Sequence, residues 1–373
     1  MKRVLITGSN GFIARNLRSH LDEFKNIEIV TFSRKNNIED LLELTSNIDF
    51  VFHLAGVNRT DSKSDFEKEN LYLTKFLCDS LSLSKRKIPL IFASSTQVNQ
   101  DNDYGKSKLL AEKIVKKYTK DTGSATFIYR LANLFGKWCK PNYNSVVATF
   151  CNNIANNLPI EIHEYNHEME LMYIDDVISE FISVLYGLEA KPSINNIPSY
   201  SISVGKLSEM IQEFHSNRKS LIVDRVGTGF IRAIYATYLS YLKPEFFSYH
   251  ISSSCDERGI FAEVLKTKDS GQFSFFTSKP GELRGEHYHH TKNEKFLVIS
   301  GDAIFKFRNI QTNEECTISS NGDRLKIVET IPGWAHNIEN IGSSEMLVIL
   351  WANEVYDSEK SDTYTYLINH KKN

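Results

Sequence analysis

Along the first two hundred residues, short apolar runs alternate with stretches whose apolar positions recur every three or four residues. The runs are Val4–Thr7, Ile27–Phe32, Phe50–Leu54, Leu90–Ala93 and Thr126–Leu131. Apolar segments this short, bounded by turns, read as strands buried on both faces. Between the last two lies Tyr104–Tyr118, where Leu109, Leu110, Ile114 and Val115 fall at helical spacing. Such alternation predicts an α/β region, a Rossmann-type doubly wound parallel sheet with helices on both faces.

Beyond about Pro244 the pattern changes. Phe273–Thr277, Lys295–Ser300, Ala303–Phe307, Arg324–Val328 and Glu345–Trp351 are strand-like and separated by turns rich in Gly, Asp and Asn. That predicts a second, all-β region, an antiparallel jelly-roll barrel. Phe230–Phe247 is aromatic-rich and predicted helical, a stretch to cover an interdomain or intersubunit surface. A chain of 373 residues exceeds one ordinary core. The expected domains are 1–243 and 244–373.

Composition narrows the function. The 46 acidic and 44 basic residues nearly cancel, which excludes nucleic acid or an anionic membrane surface as the main partner. Cys78, Cys139, Cys151, Cys255 and Cys316 show no CxxC spacing and fit reduced thiols. The N-terminus runs straight from a strand into a glycine turn, unlike a signal peptide, and no stretch nears the roughly 18 apolar residues of a membrane span. The expectation is a cytoplasmic protein with no membrane partner.

Two groups of residues carry chemistry. Gly8-Ser9-Asn10-Gly11-Phe12-Ile13-Ala14 follows a strand and opens a helix, a turn that lets backbone approach a pyrophosphate. After the second strand stands Ser33-Arg34-Lys35, where an NAD site would place a carboxylate. A cation beside a hydroxyl there suits a 2′-phosphate, hence NADPH; the plainer reading is a solvated turn. Tyr104 and Lys108 lie one helical turn apart, so an ammonium can lower the phenol pKa and ready it to protonate an alkoxide. Ser95, ending the fourth strand, can bond the same carbonyl oxygen.

The second group is Gly281-x5-His287-x-His289-x4-Glu294-x6-Gly301, completed by His336-x3-Asn340. His287 and His289 share one side of a strand, and three imidazoles with a carboxylate suit one divalent transition metal, zinc first among zinc, nickel, iron and manganese. The plainer reading is a barrel that keeps the histidines without metal.

Residues 1 to about 240 resemble an extended short-chain dehydrogenase/reductase, through Gly8/Gly11/Ala14, His53-Leu54-Ala55-Gly56, Ser94-Ser95, Tyr104-x3-Lys108, Arg130-x2-Asn133-x2-Gly136 and Tyr173–Val177. The resemblance implies Ser95, Tyr104 and Lys108 as catalytic residues. It implies Gly8, Asn10, Gly11, Phe12, Ile13, Ser33, Arg34, Leu54, Ala55 and Gly56 as cofactor contacts, with Tyr104 and Lys108, and Asn133 as a nucleotide-sugar contact. The loop between Ser95 and Tyr104 is shorter than in many members, which predicts an open site. Tyr173–Val177 reads as architecture, with Asp176 expected to cap the following helix.

The second group resembles the two-part signature of the cupin superfamily. Asp256-Glu257-Arg258-Gly259-x-Phe261-x-Glu263 and Leu283-Arg284-Gly285-x-His287-Tyr288 also resemble deoxythymidine-diphosphate-4-keto-6-deoxysugar 3,5-epimerases. That implies Arg258, Glu263 and Arg284 as substrate contacts and His287 as a base, which conflicts with His287 as a ligand. With the ligand role favoured, His290 and Tyr288 are the nearest candidates for the base.

Length, domain order and the segment Gly281–Val298 resemble CapF/WbjC-type bifunctional enzymes of capsule and O-antigen synthesis. The implied activity is C3 epimerisation of UDP-2-acetamido-2,6-dideoxy-beta-L-arabino-hexul-4-ose in the cupin. NADPH-dependent reduction at C4 follows, giving UDP-2-acetamido-2,6-dideoxy-L-talose for UDP-N-acetyl-L-fucosamine synthesis. The alternative keeps the reductase and leaves the cupin a metal-stabilised binding or dimerisation module. A homodimer is expected.

Overall fold

The computed structural model describes residues 1–60, 63–188 and 191–368. These divide into two compact units, Met1–Gln212 with Arg232–Lys243, and Glu213–Ile231 with Pro244 onward. The 243/244 division is one of three points where the chain passes from one unit to the other.

The first unit is built on β1 (Lys2–Thr7), α1 (Phe12–Leu21), β2 (Ile27–Phe32), α2 (Asp40–Leu44) and β3 (Phe50–His53). A short α3 (Lys63–Phe66) leads through a π-helical turn, Glu67–Tyr72, into α4 (Leu73–Leu83). Then come β4 (Leu90–Ser95), α5 (Asp103–Thr122) and β5 (Thr126–Leu131). The five strands form a parallel sheet in the order β2-β1-β3-β4-β5. The order reverses at β1/β3, the point where doubly wound sheets bind ligands beyond their carboxyl ends. Apolar side chains fill both faces. Val4, Ile6, Phe52 and Ile91 pack with Leu17 and Phe181 on one side, and Leu5, Val51, Leu90 and Phe92 with Leu77 and Val115 on the other. Burial on both sides explains why these strands read as continuous apolar runs.

Next follow β6 (Asn133–Phe135), α6 (Val146–Ala155), β7 (Glu168–Tyr173), α7 (Ile174–Tyr186) and β8 (Tyr200–Ser203), with β6, β7 and β8 in a small sheet. The N-cap of α7 is Tyr173, so Asp176 is not the cap. It stands instead in the first turn, where a carboxylate meets the positive end of the helix dipole.

The chain continues through α8 (Val204–Ser220), β9 (Ile222–Val223) and α9 (Gly229–Leu239). The predicted aromatic helix is therefore shorter than Phe230–Phe247; a 3₁₀ turn at Pro244–Phe246 follows it.

The second unit contains β10 (Ser253–Asp256), β11 (Gly259–Thr267), β12 (Gln272–Ser278), β13 (Leu283–Tyr288) and β14 (Glu294–Ser300). It continues with β15 (Asp302–Asn309), β16 (Glu315–Asn321), β17 (Ile327–Glu329), β18 (Trp334–Asn340), β19 (Met346–Ala352) and β20 (Tyr364–Thr365). One sheet runs β10-β11-β12-β19-β14-β17 with β9 on β11, the other β16-β15-β18-β13-β20. Phe276, Phe296, Val298, Phe305, Ile338 and Val348 fill the core between them, the cupin architecture. On the outer face of the first sheet, Phe275, Ile349, Leu297 and Ile327 stand in register across four strands. Ile349 and Ile327 are 40% and 55% exposed. Among the described residues no helix is long and apolar enough to cross a membrane.

Candidate active site and metal centre

The first site gathers at the carboxyl edge of the parallel sheet. Gly8 ends β1 at φ +66°, and a Cβ there would lie 2.7 Å from the Ala55 Cα, so only glycine lets the two strand ends approach. Gly11 precedes α1 with no side-chain cap, leaving the first N–H groups of the helix open to an anion.

Two cavities flank this turn, of about 830 and 650 Å³, and share Asn10, Gly11, Arg34, Leu54 and Gly56. The first is lined by Ser33, Ala55 and Glu69, the second by Phe12, Ile13, Ser95, Tyr104, Lys108 and Asn133. Every cofactor and reductase candidate named from sequence therefore borders one continuous pair of cavities. Arg34 is largely exposed and lies 3.3 Å from Glu69, a carboxylate that sequence spacing had not singled out.

The catalytic candidates are held by local structure. Ser95 closes β4 and caps the 3₁₀ turn Thr96–Asn99. Asn102 caps α5 by accepting from the Gly105 N–H at 2.7 Å, which starts the helix just ahead of Tyr104. Burial pushes the Tyr104 phenol up, and its hydrogen bond with Ser95 only partly offsets this. The expected lowering by Lys108 is thus not what the free protein has. The Lys108 ammonium instead donates to the Ala93 carbonyl at 2.7 Å, and burial draws its pKa down to about 8.

Behind Lys108, Glu112 accepts from Ser94 Oγ at 2.7 Å and from Arg130 at 2.9 and 2.8 Å. Burial raises the Glu112 carboxyl, but the Arg130 and Ser94 hydrogen bonds outweigh it and keep it ionised. Asn70, brought inward by the π turn, accepts from the Val57 N–H at 2.9 Å and donates to Ser107 Oγ at 2.9 Å. Asn133 donates to the Glu170 carbonyl at 3.1 Å. Lys140 and Tyr143 also line the 650 Å³ cavity that holds Ser95 and Tyr104, though no motif marks them.

The second site lies in the cupin unit. Its four donor atoms, from His287, His289, Glu294 and His336, lie within 4.8 Å of one another. Register places His287 opposite His336 on β13 and β18, beyond a bulge where Glu286 has φ +62°. Gly285, at φ +100°, allows that bulge, because a Cβ would lie 2.8 Å from the His336 carbonyl oxygen. His289 and His336 each hold a ring nitrogen 3.4 Å from Glu294 Oε2. His287 Nε2 and both His336 nitrogens are buried without a hydrogen-bond partner. Buried polar atoms are seldom left so. Burial draws the His287 pKa down to about 4, keeping it neutral. Burial pushes Glu294 up, but the polar rings of His289 and His336 and the Lys292 ammonium at 2.8 Å hold it well below the usual carboxylate range. Imidazoles with unused nitrogens and one carboxylate fit a divalent transition ion.

Other expectations fare unevenly. The rings of Tyr288 and His290 pack with Tyr364, in a cluster separate from His287, His289 and His336. On β13 Tyr288 alternates with His287 and so faces away from the ligand side, while His290 lies beyond the strand. Arg258 forks onto Asp256 at 3.1 and 2.5 Å, and Arg284 lies 3.8 Å from the same carboxylate. Glu263 pairs with Lys266 at 2.6 Å instead.

Residues 4–197 match the NAD dependent epimerase/dehydratase family, and residues 254–364 match the polysaccharide biosynthesis C-terminal domain. The chain is 51% identical over 363 residues to UDP-2-acetamido-2,6-beta-L-arabino-hexul-4-ose reductase of Pseudomonas aeruginosa, spanning 97% of this chain and 98% of that one. The crystal structure of the capsular polysaccharide assembling protein CapF of Staphylococcus aureus superposes with a TM-score of 0.89. Its identity is 38%, covering 98% of this chain and 99% of that one. CapF with the inhibitor 3-isopropenyl-tropolone matches at a TM-score of 0.81 and 35% identity, with the same coverage.

Proposed function

The chain belongs to the NAD-dependent epimerase/dehydratase family, in its CapF-type branch, and on that premise we propose that it reduces the C4 ketone of a UDP-linked 2-acetamido-2,6-dideoxyhexulose with NADPH. The observation that carries this reading is the placement of Ser95, Tyr104 and Lys108 on the cavity that also holds the glycine turn. NADPH, when bound, supplies the hydride. Ser95 Oγ and the Tyr104 hydroxyl then bond the ketone oxygen, and Tyr104 passes it a proton as the alkoxide forms. A phenol pushed up by burial keeps that proton until the alkoxide demands it. Lys108 supplies a positive charge that favours the resulting phenolate. Arg34 is assigned to the 2′-phosphate, and Asn133 to the nucleotide sugar.

In the cupin unit the proposed step is epimerisation at C3 of the same sugar, giving UDP-2-acetamido-2,6-dideoxy-L-talose after reduction. A divalent ion on His287, His289, Glu294 and His336, with zinc first among the candidates, would stabilise negative charge beside a ketone. Arg258 and Arg284 are assigned to the substrate diphosphate, and Glu263 to its substrate-facing edge. A basic group of the cupin takes the C3 proton, the electron pair passes into the enolate, and a proton delivered to the other face inverts that centre. Reduction of the ketone removes the acidity and fixes the result, which supports coupling the two units in one chain.

A second reading makes the cupin a metal-stabilised dimerisation module. The apolar ladder Phe275–Ile349–Leu297–Ile327 favours a homodimer in either case. Incubation with the UDP-4-ketosugar in deuterated water without NADPH decides between them. Deuterium at C3 supports epimerisation; unlabelled sugar with normal NADPH oxidation leaves the cupin a module.

A further inference from the structure

Three of the cupin ligands stand on β13, β14 and β18, while His289 lies just past the end of β13 and is oriented from far along the chain. His289 Nδ1 lies 2.5 Å from the Asp362 carbonyl oxygen. A carbonyl only accepts, so Nδ1 must carry the proton and Nε2 is left with its lone pair facing Glu294 and His336. The Asp362 carboxylate meanwhile accepts from the backbone N–H groups of His290, Thr291 and Lys292 at 2.9, 2.7 and 2.8 Å, and from Thr291 Oγ1 at 2.9 Å. One residue therefore fixes both the tautomer of His289 and the loop that connects it to Glu294.

Its own position is secured on both sides. Beyond it, β20 pairs with β13, placing Thr365 opposite His287 and Tyr364 opposite Tyr288. Further on, the Ile368 N–H donates to Glu286 Oε2 at 2.8 Å, and Arg308 donates to the Ile368 carbonyl at 3.1 Å. Glu286 is the bulge residue that sets His287 opposite His336. The late segment Asp362–Ile368 thus touches the supports of two ligands, His287 and His289.

We propose that Asp362 is a positioning residue of the metal centre, and that Asp362–Ile368 is a strap which sets the geometry of His287 and His289 for the ion. This rests on the metal reading above. Groups that orient a ligating imidazole typically carry 10–100-fold of metal affinity.

The test uses the full chain, stripped with chelator and titrated with Zn²⁺ or Co²⁺. Asp362→Ala keeps the backbone carbonyl but removes the carboxylate that ties it to the His290–Lys292 loop, so binding should weaken by about 10-fold, the lower end for such supports. It should also alter the visible spectrum of the Co²⁺ form and shrink the gap between the melting temperatures of the metal-loaded and metal-free proteins. Asp362→Asn, which keeps one acceptor oxygen for the loop, should fall between. NADPH oxidation with a 4-ketosugar that already has the product configuration at C3 should be unchanged. If Asp362→Ala lowers both melting temperatures equally and leaves affinity and the Co²⁺ spectrum as they were, the residue is merely structural and the proposal is overturned. If the unaltered protein binds neither ion, the metal reading itself fails and takes the strap with it.

Discussion

Protonation of His53 should weaken the reductase unit by an amount the structure fixes. His53 ends β3 with no exposed surface. Its Nε2 lies 2.8 Å from Thr74 Oγ1, which itself donates to the Asn70 carbonyl at 2.6 Å. Thr74 must therefore accept from His53 Nε2–H. Nδ1 is then the bare nitrogen, taking the hydroxyl proton of Thr7 at 2.7 Å, while Thr7 Oγ1 accepts from the Ala55 N–H at 3.2 Å. Every proton in the chain has one place, and a second ring proton has none.

Burial, with a smaller push from Lys108, draws the His53 pKa from 6.5 to about 3. The unfolded chain accordingly binds the proton first as pH falls. Stability is whole above pH 6.5 and is lost as pH drops toward 3. Between pH 7.5 and 4.5 one such proton costs about 3 kcal/mol.

The assay is urea unfolding followed through Trp138 after the other two tryptophans, Trp334 and Trp351, are changed to Phe. His53→Gln should flatten the pH slope by that amount, whatever its own stability. Proton NMR of the ring should show no titration down to pH 4.5. Equal slopes in both proteins, or a ring midpoint near 6, would refute the reasoning.

Tyr104→Phe should cut NADPH oxidation by about 10²–10⁴-fold, the usual worth of a general acid, while C3 exchange in deuterated water persists; unchanged oxidation would remove Tyr104 from the reaction. Arg34→Ala should raise KM for NADPH more than for NADH, and a preference for NADH in the unaltered enzyme would count against the 2′-phosphate assignment. Light scattering should give a dimer at micromolar concentration, and Leu297→Glu with Ile349→Lys should give monomers. A monomer before substitution would leave the apolar ladder without a partner.

The features legible in the sequence are those whose geometry follows from near-neighbour spacing. Tyr104 and Lys108 share a helix face because they are one turn apart, and the strands Ile27–Phe32 and Thr126–Leu131 occupy their predicted spans. Arg324–Val328 was less tractable: β17 covers only Ile327–Glu329, because the residues before it lie in a turn. What spacing cannot carry is burial and distant contact. The rise in the Tyr104 pKa comes from its enclosure, which no i,i+4 rule contains. Asp362 reaches His289 across 73 residues. Tyr288 adjoins His287 in sequence, yet nearness by one residue on a strand means the opposite face.

The way the chain is shared between the two units sets how the protein can be taken apart. β9 pairs with β11, as Ile222 and Val223 lie beside Lys266 and Thr267. That strand is followed by Arg232–Lys243, which belongs to the first unit. A fragment that begins at Pro244 would lose one strand of its own sheet, whereas a fragment that begins early enough to keep it would carry a stray piece of its neighbour. Neither unit can be excised whole by a single cut, so an exchange at a simple boundary would split one of them.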